Sequence, residues 1–470
     1  SLGPGRLTSL PACQPGRRGA VKRLMRASIS ERGSKGRMDR RRFLRMAGGA
    51  LGLAVGIGRV RMSRAAARKA RVVYWTPLDP RSKNPRSEAE TAMIDLFRKR
   101  HPDLEVEVQP VPWQTIGTQT IQSVMAGRGP DVVQFSTYDL PIQVEAKTTA
   151  PLNEFMTANW LAENQHDFLL PWENSVYDGQ VMGLYWNSLL GASLWYRQDL
   201  LERKGLKLPR TWDEIASIGA AVQTPQTVGY LTGLSKSGNA VQLTNWLIPS
   251  MWAAGSDFLD SEGRAAFNNP NGARPLEWLA DLVYKHKVTP TSIVALTRDN
   301  VLDAFSAGTA AFVHESSNIV SSARKSAVVG NVMGLMACPG PTAAKPAPAL
   351  VIGKTIAVTR VAREREAAWL FIEHMTNTEA QAINARMAQE PPCRKSVLKD
   401  PWFSTPEAAD LKVQVEYMVR HPHPFRYHTK NNFLADALAE GAQQIIANRR
   451  APLEVLNEVA KKWHEAIGVS

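Results

Sequence analysis

Between residues 71 and 135 the chain alternates in a way that admits few architectures. Residues 71–75 form a short run rich in β-branched and aromatic residues, and residues 88–100 then space Ala92, Ile94, Leu96 and Phe97 at helical intervals. His101-Pro102-Asp103 ends that helix. Residues 104–108 alternate apolar and acidic as a half-buried strand, 115–126 are again helical, and 131–135 read as a buried strand. Strand, helix, strand, helix, strand in this order predicts an α/β fold with a mainly parallel sheet covered by helices. Ligands of such sheets bind beyond the carboxyl ends of the strands, here in the loops 76–81 and 136–141.

The second half reads differently. Thr211 and Glu214 stand three apart at the start of a helix, like a capping box. Helices are predicted over 240–254, 275–286, 299–307, 364–376, 377–387, 432–448 and 452–467. A strand is expected at 349–358, and the Pro-marked segment 390–395 is a second candidate for a crossing between lobes.

The chain is strongly basic, with 57 Lys and Arg against 43 Asp and Glu, which raises nucleic acid as a partner. The distribution excludes it: residues 1–67 hold 16 basic and two acidic residues, so the remainder is formally neutral. Residues 1–67 instead read as an address. Arg40-Arg41, a variable Arg42, then Phe43, Leu44 and Arg45 resemble the twin-arginine export signature, followed by a glycine-rich apolar segment at 46–58 and Ala65-Ala66-Ala67. That apolar segment is shorter than the roughly 18 residues a spanning helix needs. Cleavage near Ala67 and a periplasmic location are expected, and Met38 immediately before the signature marks a candidate start. No cysteine stands at the exit to carry a lipid. After cleavage Cys338 and Cys393 remain, and a disulfide or two free thiols are both open.

Several stretches, taken together and in order, resemble the extracellular solute-binding proteins of ABC sugar importers, the maltose-binding-like family. They are GRGPDVV from Gly127, GLYW from Gly183, LWYRQDL from Leu194, PRTWDE from Pro209, FSAGTAAF from Phe305 and AAWLFI from Ala367. The resemblance implies a two-lobe periplasmic-binding-protein fold, each lobe a mainly parallel sheet flanked by helices, joined by a multi-strand hinge. It also implies a partition into an N-terminal lobe (68–189 and 350–391) and a helix-rich C-terminal lobe (190–349 and 392–470). Its partners would be a carbohydrate or polyol and an inner-membrane ABC importer permease, with the protein itself a monomer, not an enzyme, and without cofactor.

A sugar offers apolar C–H faces and a belt of hydroxyls, so its site needs aromatic platforms and side chains that hydrogen-bond. Asp79 lies in the first strand-end loop, and Tyr138 and Asp139 lie in the next, both at contact positions of the family. Trp186 and Asn187 fall on the first crossing, Trp113 in a loop before a helix, and Asn245 and Trp246 near the family's second-lobe aromatic position. Helix capping at Asp79 and Asp139 and core packing at the tryptophans are the plain alternatives. Where many relatives place a stacking tryptophan this chain has Asn318, preceded by Glu315 and Ser316, and Ile352-Gly353-Lys354 stands where sugar-binding relatives carry Gly-Gly-aromatic. A maltodextrin is therefore disfavoured. Lys354 and Arg394 suggest an anionic or phosphorylated sugar or polyol, against pairing with nearby carboxylates. His421, His423 and His428 lack a fourth partner for a metal. The rival from another class is an exported carbohydrate-active enzyme, which needs paired carboxylates about one scissile bond. A ligand sensor for a membrane receptor kinase would use the same cleft.

Overall fold

The computed structural model describes residues 69–236, 241–316, 320–425 and 427–469. The export signature and Asn318 lie outside the described residues. Among the described residues the strands are β1 (Ala70–Thr76), β2 (Leu104–Pro110), β3 (Val132–Ser136), β4 (Val176–Tyr177), β5 (Gln180–Val181), β6 (Leu184–Leu190), β7 (Ser193–Arg197), β8 (Val228–Leu231), β9 (Ala310–Glu315), β10 (Met333–Ala337) and β11 (Val351–Val358). They form a five-stranded sheet, β2-β1-β3-β11-β6, a four-stranded sheet, β10-β7-β9-β8, and the small β4-β5 ribbon.

The first sheet follows the predicted strand and helix alternation. β1 pairs in parallel with β2 and with β3, and all five residues of β3 are buried, the polar Gln134 and Ser136 as well as Val132, Val133 and Phe135. The helix Pro85–Arg100 begins where the Asn84 side chain accepts from the Arg86 and Ser87 amides, with Pro85 in the first turn. It buries Met93, Ile94 and Phe97 on the sheet, each contributing about 1.5–3 kcal/mol. Phe97 and Tyr74 both meet the edge of Phe371, at 5.2 and 5.0 Å between centroids.

A mainly parallel sheet in each lobe is corrected to a mixed one: in the first sheet β11 runs antiparallel to β3 and β6, and in the second only β8 and β9 run parallel. The chain leaves the first sheet on β6, enters the second on β7, and returns through β10 to β11. Outgoing and returning strands that lie side by side must run antiparallel, which fixes β7 against β10 and β6 against β11. This routing points the carboxyl ends of β3 and β6 at the junction between the sheets. Pairing of Ser193 with Glu315 brings the end of β9 to the same place.

The second core is built on Trp212, Trp246, Trp278 and Tyr230. Thr211 caps the helix Trp212–Val222 by accepting from the Glu214 amide at 3.1 Å. The Glu214 carboxylate accepts from the Arg210 amide instead of closing the box on Thr211. This helix crosses β8 so closely that a Cβ at Gly229 would lie 2.7 Å from the Gly219 carbonyl oxygen. The helices Asn431–Asn448 and Pro452–Ile467 complete this core with Leu438, Ile445 and Trp463, whereas Cys393, Val415 and Met418 pack into the first. Cys338 and Cys393 are both free and buried, in different cores. Among the described residues, no helix is long and apolar enough to cross a membrane.

Candidate functional site

Three groups of side chains meet at the junction. The loop after β3 supplies Tyr138, whose phenol donates a 2.7 Å hydrogen bond to Oδ1 of Asn245 on the helix Val241–Ala254. Burial raises the Tyr138 pKa, and its ring meets Tyr427 edge-on at 4.3 Å. Asp139 heads the short helix Leu140–Glu145 but caps nothing with its side chain, which lies against Gly117. Desolvation pushes its carboxyl up to about 6. A second bridge runs from Asn174 Nδ2 to the Phe425 carbonyl at 3.0 Å.

The crossing strands form the second group. Trp186 and Asn187 on β6 and Lys354 on β11 are buried together with Glu390. Lys354 Nζ lies 4.4 Å from the Trp186 ring centroid and 3.4 Å from Glu390 Oε2, and the same oxygen accepts from Asn187 Nδ2 at 2.8 Å. Arg86 Nε stands 2.7 Å from Glu390 Oε1. Burial pushes Lys354 down to about 8. Burial also pulls the Glu390 carboxyl up, but Arg86 and Lys354 together outweigh it and leave a net lowering. Gly353 is required here, since a Cβ would lie 2.3 Å from the Asn187 carbonyl oxygen. That close approach, aided by a register shift between Lys354 and Thr355, lets the Lys354 amide reach Asn187 Oδ1 at 2.9 Å.

The second sheet contributes the third group. Arg298 holds Glu315 Oε1 with Nε at 3.0 Å and Nη2 at 2.7 Å, and also reaches Ser316 Oγ at 3.1 Å. Trp246 stacks on His314 at 5.7 Å and 16°. His314 Nδ1 lies 2.7 Å from the Tyr230 hydroxyl, and burial pushes its pKa down to about 3.

Sequence-predicted residues thus divide. Tyr138, Asn245, Trp246, Trp186, Asn187, Lys354 and Glu315 sit at the junction, with Asp139 beside them. Lys354 is already occupied by Glu390, the plain role considered for it. Arg394 is a structural clamp: Nε donates to the Thr376 carbonyl at 2.7 Å, Nη1 to Asn164 Oδ1 at 2.9 Å, and its guanidinium lies 4.0 Å over Phe168. Asp79 keeps its contacts within its own loop, where Arg81 holds its carboxyl below the usual range. Trp113 is 44% exposed beyond β2, the edge strand. Arg86, Arg298, His314 and Glu390 escaped sequence reasoning. Only His314 carried a signal, a lone imidazole inside the apolar run of β9.

Cavities at the junction are small in this conformation. One lies against Thr137, Asn174, Tyr185 and Tyr427, and another against Trp246, Arg298, His314 and Glu315, each of about 10 Å³. That volume suits about one water-sized group, and the Tyr138–Asn245 and Asn174–Phe425 hydrogen bonds hold the two lobes against each other.

Two α/β lobes joined by crossing strands, with aromatic and polar side chains facing each other over the seam, define a two-lobe binding protein. Residues 83–382 match the model of the bacterial extracellular solute-binding protein family, and the chain belongs to that family. A putative ABC transporter periplasmic-binding protein, YcjN of Escherichia coli K12, is 21% identical over 61% of this chain. The chain spans 65% of the length of that curated relative. Maltose-bound MalE3 of T. maritima has the same fold, with a TM-score of 0.70 at 23% identity over 84% of this chain and 100% of its own. A solute-binding protein of Agrobacterium radiobacter K84 in complex with ribitol gives a TM-score of 0.67 at 19% identity, covering 84% and 98%.

Proposed function

We propose that this protein captures a carbohydrate or polyol between its lobes and delivers it to an inner-membrane ABC importer, making and breaking no covalent bond. The observation that carries this reading is the seam itself, where Tyr138 from one lobe is bonded to Asn245 of the other among buried tryptophans, amides and ion pairs. A hydroxyl-rich molecule seated there exchanges such contacts for its own and is shielded from water when the lobes close. Similarity to proteins described as bound to maltose and to ribitol supports the substrate class.

In this proposal the ligand touches Tyr138, Asp139, Asn187, Asn245, Trp246 and Glu315. In the same proposal the N-terminal lobe is 68–189 with 350–391 and the C-terminal lobe 190–349 with the last segment, of which Cys393, Val415 and Met418 pack into the first core. The protein acts as a periplasmic monomer exported by the twin-arginine route and cleaved near Ala67. Arg40→Lys together with Arg41→Lys is expected to leave it in the cytoplasm.

A thermal-shift screen against neutral sugars, polyols, sugar acids, polyol phosphates, amino acids and peptides tests the function, because a ligand that binds only the native state raises its melting temperature. At least one polyhydroxylated compound is expected to shift the transition and to be recovered unchanged. Shifts by amino acids or peptides alone would overturn the substrate class, and turnover of a sugar would favour an enzyme.

A further inference from the structure

The stretch His421-Pro422-His423-Pro424-Phe425, continued by Tyr427 and His428, joins the helix Ala409–Arg420, which packs on the first core, to the helix Asn431–Asn448 of the second. Rings of the second core hold it in place. His423 lies flat on Trp252, with 3.8 Å between centroids and 16° between planes, and Phe425 meets Trp252 and Phe258 edge-on at 5.9 and 5.7 Å. The Ala349 amide donates to the His421 carbonyl at 2.9 Å, and Pro422 and Pro424 fix two φ angles. A segment pinned in this way presents Tyr427 as a fixed wall. The Tyr427 ring is buried, meets Phe425 at 4.8 Å and 89°, and meets Tyr138 at 4.3 Å and 78°. It lines one junction cavity with Thr137, Leu140 and Pro141 after β3 and with Leu170 and Tyr185. Tyr427 also stands beside both hydrogen bonds between the lobes. It packs on Tyr138, which bonds Asn245, and lies two residues from Phe425, whose carbonyl accepts from Asn174.

We propose that this segment is a stop at one end of the ligand seam and that Tyr427 limits the ligand's length, admitting polyols and sugars of one or two units and turning away oligosaccharides of three or more. The space left beside Tyr427 is about 10 Å³, room for one water-sized group and not for a further sugar ring. A longer chain must therefore displace the Tyr427 ring. Phe425 and Tyr138 pack it on two sides, and the stacking of His423 on Trp252 ties the backbone that carries it. Forcing bulk into a site packed in this way is costly, and a clash of this kind discriminates between ligands without any new attractive contact. The inference rests on the carbohydrate or polyol reading and adds a limit on length.

The test is calorimetric titration of the wild-type, Tyr427→Ala and Tyr427→Phe proteins with graded series. These are the monomer, dimer and trimer of α-1,4- and β-1,4-linked glucose, of β-1,4-linked mannose and of β-1,4-linked xylose, and the alditols sorbitol, maltitol and maltotriitol. In the wild type, the three-unit member of any series that binds should be at least about tenfold weaker than its best shorter member. Tyr427→Ala should narrow that gap by about tenfold. Tyr427→Phe keeps the ring and should keep the gap. A three-unit compound bound by the wild type as tightly as its best shorter member would overturn the inference alone. So would a gap that Tyr427→Ala leaves unchanged, including an equal loss of affinity at every length, which is what a purely structural role predicts. No binding of any neutral sugar or polyol to the wild type would overturn the broader reading and this inference with it. Should Tyr427→Ala fail to fold, Tyr427→Leu and the wild-type series decide.

Discussion

The phenol of Tyr138 and the carboxamide of Asn245 meet at 2.7 Å, and they belong to different lobes. One hydrogen bond of this kind contributes about 1 kcal/mol, a factor of roughly five in an equilibrium between closed and open forms. Tyr138→Phe is therefore expected to enlarge the ligand-free protein in small-angle scattering. A sugar or polyol that binds the wild type should bind the variant about fivefold more weakly.

Glu390 neutralises two cations at once. Removing its charge in Glu390→Gln leaves the buried Lys354 and the half-buried Arg86 without their carboxylate, although the Asn187 contact can survive. Breaking a buried pair in this way costs about 3–5 kcal/mol. A lower urea midpoint is the expected result. An unchanged midpoint would mean that water reaches this cluster.

His314 gives stability a pH signature. Its folded pKa is depressed to about 3, below the value of about 6.5 for a free imidazole. Between those values the unfolded chain binds a proton that the folded chain does not, so stability falls as pH drops from 6.5 towards 3. At pH 5 the loss from this group is about 2 kcal/mol. His314→Gln should flatten that part of a stability profile measured from pH 4 to 7.

Arg394 separates structure from ligand recognition. Arg394→Ala removes its bonds to Thr376 and Asn164 and its packing on Phe168. A loss of about 2–4 kcal/mol is expected in denaturant titrations. Affinity for any sugar or polyol that binds should stay within about twofold of wild type, because the side chain faces the first core. A selective loss of binding to anionic compounds would restore it to the site.

The two cores keep Cys338 and Cys393 apart. Burial pushes the Cys393 thiol up to about 12 and raises the Cys338 thiol as well. Neither should react with a thiol reagent in the native protein starting at residue 68, and both should react in denaturant. Reducing agent should leave its melting temperature unchanged.

What the sequence disclosed follows from how local each signal is. β1, β2 and β3 and the helices between them were legible, because apolar periodicity and the His101-Pro102-Asp103 stop are contained in short windows. The helix Pro270–Tyr284 was anticipated only from residue 275; its start depends on the Asn269 cap and on Pro270 in the first turn, a signal passed over. β7 and β10 are not legible: Met333–Ala337 holds a glycine and, unlike β3, no β-branched or aromatic residue, and the pairing of the two strands is set by the route of the chain. At the site, Tyr138, Asn187 and Trp246 were legible through the family resemblance. Arg86, Arg298 and Glu390 were not, because a charged residue bound for burial looks like any surface charge until its partner, over two hundred residues away in the case of Asn187 and Glu390, is brought alongside.

β11 is the fourth strand of the first sheet, wedged between β3 and β6, yet it is encoded after the whole of the second sheet. During synthesis β3 and β6 therefore wait, without the neighbour they share, until residue 358 has left the ribosome. The second core waits longer, for the helices that end at Ile467. The first core draws on residues as late as Met418 and the second on a helix that ends at Ile467, which makes maturation of both halves a late and strongly coupled event with many distant contacts to form.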